Sequence, residues 1–438
     1  MLKKYSAIIL AIYIFSGCQN KSNPDISRIV EIKYEDGRAQ LIRHGKPYHI
    51  IGGAGHEHME KLALYGGNSI RTWNTQKASE ILDDAHSFGL TVTLGLEVGN
   101  EWWGDDFSYW SFNKVDQKIE GLRKTVKEFK DHPALLMWGI GNEVHLFGGN
   151  RWIVYHTINK IAKMIHEEDP NHPVMTAIPV GFKYDRYTFS HLLMPDVDIL
   201  GFNAFDRLPY IYSLIYERTG WKKAYILSEW GASGPWESNT TEWGEPPTEW
   251  GAPKELSSTQ KAKIVSHYWD IIKNDDHLYL GGYAFYWGHK IERTHTWFSL
   301  FSEEGLETET VNVLQNQWSE NKPNNWAPQI DSLQLIAPMR RDNFYLVADS
   351  VYTANIFAND LDQDSLTFRW ELRPEDAPFF GSDKFKNNMR HLLLSENYPS
   401  TQFRTPTEEG PYRLFAFVYD GKGHVAHKNI PFYVILSK

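Results

Sequence analysis

Leu135-Leu136-Met137-Trp138-Gly139-Ile140-Gly141-Asn142-Glu143 and Ala224-Tyr225-Ile226-Leu227-Ser228-Glu229-Trp230-Gly231 are the two stretches on which the fold of this chain turns. Each is a short apolar run closed by a carboxylate. That is the pattern of a strand buried on both faces and acidic at its C-terminal tip. Such a strand delivers its acid to a rim.

Outward from these two runs the chain alternates. Extended runs fall at Tyr48–Gly53, Asn68–Trp73, Leu90–Leu96, Leu135–Gly141, Pro173–Ala177, Asp198–Phe202, Ala224–Ser228 and Tyr279–Tyr286. Helical patterns separate them, at Glu57–Tyr65, Lys77–Phe88, Val115–Lys130, Ile153–Glu168, Tyr187–Leu193, Leu208–Arg218 and Thr259–Lys273, and Thr308–Trp318 follows the last strand. Eight strand–helix repeats predict a (β/α)8 TIM barrel, a fold of about 250 residues. The competing arrangement is a doubly wound open sheet, but no glycine-rich phosphate loop follows an early strand. A hairpin precedes the barrel, marked by Asp36-Gly37 between two extended runs.

Near Asn321–Pro328 the composition shifts to a Pro/Asn linker, and beyond it short alternating runs dominate. They predict a smaller, all-β immunoglobulin-like sandwich. Asn359–Ser365 reads as an acidic, Asx-rich turn, with a calcium site as the alternative. The expected division is a lipoprotein signal peptide over 1–18, a tether over 19–28, the barrel with its hairpin over 29–322, and the sandwich over 323–438.

The formal charge of −10 over 438 residues excludes the basic stripe of a nucleic-acid binder. There is one cysteine, Cys18, so no intramolecular disulfide forms. It follows a short basic start, Met1-Leu2-Lys3-Lys4, and a compact apolar run, Ala7 to Phe15. That is a secretory signal, too short to span a bilayer as a mature helix. Phe15-Ser16-Gly17-Cys18 resembles a bacterial lipobox, with Phe15 where leucine is usual. The resemblance implies that Cys18 is lipidated and that the protein is anchored to a membrane of the bacterial envelope, at the outer surface or in the periplasm.

In a (β/α)8 barrel the active site is built at the C-terminal ends of the strands. Glu143 ends the fourth strand and Glu229 the seventh, on opposite sides of the mouth. One glutamate at a strand tip is an ordinary rim charge. Two facing one cleft are what glycosidic hydrolysis requires: a proton donor, and a nucleophile or base. A retaining mechanism sets the carboxyl groups about 5–5.5 Å apart, an inverting one about 6.5–9.5 Å.

Gly141-Asn142-Glu143 after the fourth strand, with a glutamate ending the seventh, resembles the retaining glycoside hydrolases of clan A over residues 45–320. The resemblance extends to the family 2-like and family 5-like barrels, and to the family 158 β-1,3-glucanases that pair such a barrel with an immunoglobulin-like domain. It implies Glu143 as acid/base and Glu229 as nucleophile. By the same resemblance Asn142 meets the sugar 2-hydroxyl, Arg71 lies beside Glu229 and holds it ionised, and Trp287 floors the reacting subsite. Phe205 stands on the sixth strand where many members place a tyrosine that donates to the nucleophile. Asn203 on that strand is a candidate for lining the subsite. Trp103 after the third strand and Trp236, Trp243, Glu249 and Trp250 after the seventh suggest an aromatic sugar-binding wall.

The expected function is therefore a retaining β-glycosidase, a monomer acting on a β-glucan or related saccharide without metal or cofactor. A β-glucan transglycosylase and a noncatalytic carbohydrate-binding lipoprotein are the competing readings.

Overall fold

The computed structural model describes residues 28–99, 107–144, 151–180, 190–211, 215, 221–237, 247–375 and 387–436. Cys18 with its signal, the tether up to residue 27, Trp103 and Trp243 lie outside the described residues. No helix among the described residues is long and apolar enough to cross a membrane.

The chain opens with a three-stranded antiparallel sheet, β1 (Val30–Glu35), β2 (Arg38–Arg43) and β3 (Lys46–Tyr48). Eight parallel strands come next and close on themselves: β4 (Ile50–Ala54), β5 (Ser69–Arg71), β6 (Thr91–Leu96), β7 (Leu135–Asn142), β8 (Val174–Pro179), β9 (Ile199–Ala204), β10 (Tyr225–Trp230) and β11 (Tyr279–Phe285). Closure is the pairing of β11 with β4, Gly281 opposite Ile50 through Phe285 opposite Ala54. The barrel is the expected one. Around it stand α1 (Met59–Leu64), α2 (Ala78–Ser87), α3 (Phe112–Phe129), α4 (Arg151–Glu168), α5 (Ser190–Leu193), α6 (Ser258–Ile272) and α7 (Glu309–Trp318). Over the predicted Leu208–Arg218 helix the structure has a 3-10 turn at Leu208–Tyr210, with Ile211 and Ile215 also helical; residues 212–214 and 216–220 lie outside the described residues.

Barrel strands are apolar along their length because one face meets the helices and the other fills the interior. Within the barrel Tyr283 lies across β4, where a Cβ on Gly52 would sit 2.4 Å from its ring. Its hydroxyl bonds Thr93 at 2.6 Å and Ser69 at 3.1 Å, so the buried phenol is satisfied. The N-terminal sheet seals the opposite end from the site. Val30 and Leu41 join Ile50, Ile226 and Leu280 in one cluster, and Val30 N–H donates to Asn171 C=O ahead of β8.

The C-terminal unit is two facing sheets. One is β12 (Gln329–Ile336), β15 (Val351–Asn359) and β17 (Ser400–Arg404); the other runs β13 (Met339–Arg340), β14 (Asn343–Val347), β19 (Val425–Ile435), β18 (Gly410–Tyr419), β16 (Thr367–Pro374). Leu333, Ile356 and Phe403 of the first pack on Trp370, Leu414 and Phe432 of the second. Strand β12 begins directly after the Pro/Asn segment read as a linker. That segment is strapped down: Trp326 N–H donates to Asp362, and Ala327 N–H to Asn312. In the acidic turn Asp360 caps Asp362 N–H and Asp364 N–H, an Asx turn as read. The carboxylates of Asp360, Asp364 and Asp420 gather within 4.8 Å there.

A buried ionic weld joins the two units. Glu255, between β10 and α6, accepts from Lys261 Nζ at 2.6 Å, Asn429 Nδ2 at 2.6 Å and Thr294 Oγ1 at 2.8 Å. Arg413 of β18 binds Glu375 through Nε at 2.6 Å and reaches Pro253 C=O at 2.8 Å. Burial alone would raise the pKa of Glu255; the Lys261 ammonium overrides this and holds it at about 2. Removing one partner strands the other charge, so Lys261→Met is expected to lower unfolding free energy by about 3–5 kcal/mol. Denaturant melts check this, and Glu255→Leu/Lys261→Met should recover most of the loss. A depressed carboxylate stabilises above its unfolded pKa. The weld's contribution therefore fades as pH falls from the ordinary glutamate range towards about 2.

Candidate active site at the barrel mouth

Both glutamates sit at irregularities in their strands. Between β7 and β8 the register shifts between Gly139 and Asn142; Glu143, just past the strand, has φ 51°. Between β10 and β9 it shifts between Leu227 and Glu229, so Glu229 pairs with Asn203. A bulge re-aims the side chain that follows it, and left-handed backbone at a non-glycine residue is costly. These two distortions are placed where the acids must turn to the mouth.

A continuous network joins the acids. Arg71 at the end of β5, 2% exposed, donates through Nη1 to Glu229 Oε1 at 2.8 Å and to Ser228 C=O at 2.9 Å. Its Nη2 donates to Asn142 Oδ1 at 2.7 Å. Asn203 Nδ2 donates to that same oxygen at 3.1 Å and to Glu143 Oε1 at 2.8 Å, while Asn203 Oδ1 accepts from Ser228 Oγ at 2.7 Å. The Arg71 and Asn203 hydrogen bonds to Asn142 are both to its carbonyl oxygen. Asn203, expected to line the subsite, is 3% exposed and engaged at both ends of its amide. It positions Glu143.

The two acids live in different surroundings. Burial and the neighbouring Glu229 push the Glu143 carboxyl up to about 8, against smaller opposing contributions from Asn203 and Arg71. Glu229 instead receives two donors on one oxygen, Arg71 Nη1 and Trp73 Nε1, the latter at 2.8 Å. Trp73 thus supplies the nucleophile-side hydrogen bond that Phe205 cannot. Its position two residues after Arg71 on an extended segment was the available signal.

The strand-eight expectation needs correction. Trp287 is fully buried against Phe301 and Trp318, and its indole N–H donates to His58 C=O at 3.2 Å. It is a core residue and floors nothing. Tyr286, one residue earlier, is partly exposed and stacks on Trp73 with ring centroids 5.9 Å apart. Lys290 Nζ lies 4.8 Å from the Phe285 centroid and 5.7 Å from that of Tyr286, and it pairs with Glu292 at 2.8 Å.

Trp236 does reach the rim, 38% exposed and edge-on to Phe205 at 5.6 Å. Its loop is held by Glu237, whose Oε2 accepts from Gly234 N–H and Asp206 N–H. Burial raises the Glu237 carboxyl to about 8. Glu249 and Trp250 belong elsewhere. Glu249 bonds Tyr345 and Arg341, and Trp250 packs on Tyr345 and Tyr433, all in the C-terminal unit.

No protein-family model matches the chain. It is similar to the β-glucuronidase of Sus scrofa, 22% identical over 226 residues, 44% of this chain and 32% of that protein. It resembles in fold a Bacteroides uniformis β-glucuronidase 2 solved covalently bound to cyclophellitol-6-carboxylate aziridine, 15% identical with TM-score 0.50, over 93% of this chain and 48% of that one. A putative β-galactosidase from Bacteroides fragilis is 14% identical with TM-score 0.51, over 94% and 58%. The chain spans about a third of the curated relative and about half of these structures. The likeness defines the class as a (β/α)8 barrel followed by an all-β unit.

Proposed function

We propose that this protein is a retaining β-glycoside hydrolase acting on a β-linked glucan or related oligosaccharide, with Glu229 as nucleophile and Glu143 as acid/base. The observation that carries the reading is the asymmetry of the paired glutamates. One is held by Arg71 and Trp73, and the other is raised to about 8 beside it. A carboxyl kept protonated beside one that accepts two hydrogen bonds on a single oxygen is the arrangement an acid and a nucleophile require. The relatives named above are β-glycosidases by their descriptions, which favours the same reaction class here.

In the first step Glu229 attacks C1 of the sugar. Both donors sit on Oε1, which assigns the attack to Oε2. The C1–oxygen bond to the leaving group breaks as Glu143 gives that oxygen its proton. In the second, Glu143 takes a proton from water, the water oxygen bonds C1, and the ester to Glu229 breaks. Asn142 offers its amide to the 2-hydroxyl, where the hydrogen bond strengthens as charge develops at C1. Release of reducing sugar from a panel of β-glucans and aryl β-glycosides tests the proposal; no turnover of any of them would refute it.

Trp73→Phe keeps an aromatic ring beside Tyr286 and removes the N–H on Glu229 along with part of the indole. A hydrogen bond to a charged group is worth about 1.5–3 kcal/mol, so kcat should fall roughly 10- to 100-fold. Steady-state kinetics with KM reported separately checks this, since lost sugar stacking would raise KM instead.

A further inference from the structure

The irregularity that precedes Glu229 leaves one residue over. Leu227 pairs with Phe202 and Glu229 with Asn203, so the pairing of β10 with β9 passes over Ser228. Ser228 is fully buried, and its backbone and side chain serve different partners. Its C=O accepts from Arg71 Nη1 at 2.9 Å, and its hydroxyl meets Asn203 Oδ1 at 2.7 Å. Gly201 of β9 makes room for that side chain. A Cβ on Gly201 would come 2.7 Å from Ser228 Oγ and 2.8 Å from Ser228 Cβ.

The direction of each hydrogen bond in this network follows from Arg71. A guanidinium only donates, so the Asn142 atom that faces it is Oδ1. That oxygen only accepts, so Asn203 presents Nδ2 to it, and the Asn203 Oδ1 falls on the Ser228 side. Since this second amide oxygen also only accepts, the Ser228 hydroxyl is the donor. Both hydrogens of Asn203 Nδ2 are thereby committed, one to Asn142 and the other to Glu143 Oε1 at 2.8 Å. An oxygen that accepts an amide N–H serves as the carbonyl oxygen of a carboxylic acid. The exchangeable proton of Glu143 therefore belongs on Oε2.

We infer that Ser228 is a positioning residue for the acid/base: its hydroxyl locks the Asn203 amide, which assigns proton transfer to Glu143 Oε2 in both steps. The inference rests on the glycosidase reading and adds the part of the site that aims the proton. Oε2 gives its proton to the leaving oxygen as the C1–oxygen bond breaks. In the second step it takes a proton from water as the water oxygen bonds C1. Oε1 keeps the Asn203 N–H throughout. Ser228 and Asn203 are both buried, so their effect on the reaction passes through Glu143 and needs no contact with the sugar. Without the hydroxyl, Asn203 Oδ1 is left buried and short of its donor, and the amide gains freedom to turn from Glu143.

The test is a double-mutant cycle on Ser228→Ala and Asn203→Ala in the full chain, with pH profiles on the best glycoside of the panel. Ser228→Ala should lower kcat roughly tenfold with KM little changed, a part of the usual contribution of a positioned acid/base. The Asn203 N–H favours the Glu143 carboxylate, so loosening it raises that pKa. The alkaline limb of kcat/KM should accordingly move up by about one pH unit, the equivalent of one hydrogen bond. Glu229, Glu292 and Arg71 also act on Glu143, and the substitution removes none of these charges. The double variant should match Asn203→Ala within about twofold, because Ser228 acts through Asn203. Ser228→Cys, with a weaker donor in the same place, should move the limb the same way and stands in if Ser228→Ala does not fold. An unmoved limb, or a double variant roughly tenfold slower again than Asn203→Ala, is what a merely structural role gives. Either result would overturn the inference and leave the glycosidase reading standing. No turnover of any glycoside by the wild type would remove that reading and the inference with it.

Discussion

Replacing Glu229 by glutamine is expected to lower kcat/KM by about 10⁴- to 10⁶-fold, the loss typical when a covalent nucleophile is removed. The amide is nearly isosteric with the carboxylate and can still accept from Arg71 Nη1 and Trp73 Nε1, so the fold should be kept. What it cannot do is attack C1 through a second, charged oxygen. Glu229→Ala goes further, leaving a space at the mouth. Azide entering it would attack C1 directly and give an α-glycosyl azide, one inversion in place of two. Product analysis by mass and NMR reads this outcome. Full activity of Glu229→Gln would remove the nucleophile from the account.

Replacing Glu143 by glutamine should cost about 10²- to 10⁴-fold, the usual contribution of a positioned acid/base. The loss should depend on the leaving group. A sugar hydroxyl must be protonated as it departs, whereas a nitrophenolate leaves unaided, so the first step on aryl glycosides should be largely spared. Glu143 must also carry its proton at the start of the reaction. With its pKa raised to about 8 by burial and Glu229, the acid form prevails below that value. The kcat/KM of the wild type should therefore decline as pH rises through about 8, and this limb should vanish in Glu143→Gln. A pH profile on a glucan oligosaccharide checks both. An unchanged alkaline limb in the variant would assign that titration to another group, with Glu237, also raised to about 8, the next to examine.

The barrel was legible because its strands are buried on both faces and therefore read as unbroken apolar runs. Leu135–Gly141 in the sequence became Leu135–Asn142 in the structure, and Tyr279–Tyr286 became Tyr279–Phe285. Glu143 and Glu229 were recognisable from strand position, Arg71 and Asn142 from the resemblance to clan A, and the structure joins the four in one hydrogen-bonded network. Four features lay beyond the sequence. The register shifts beside Glu143 and Glu229 depend on the neighbouring strand. The choice between Tyr286 and Trp287 depends on which aromatic the α7 side of the barrel engulfs; Trp318 takes Trp287. Lys290 and Glu292 are two charges in a loop whose course is set by Glu255 and Lys261, contacts with no local signature. The Asn321–Pro328 stretch, a linker by composition, is likewise held against both units, by hydrogen bonds to Asp362 and Asn312 that composition does not show.

The central claim is that bond cleavage proceeds by two displacements through Glu229, with Glu143 serving first as acid and then as base. Proton NMR of the anomeric signals during early hydrolysis of a β-glycoside tests it most directly, before mutarotation mixes the products. The account predicts that the β-anomer of the released sugar appears first and the α-anomer only later. Initial appearance of the α-anomer would mean a single displacement by water and would contradict it.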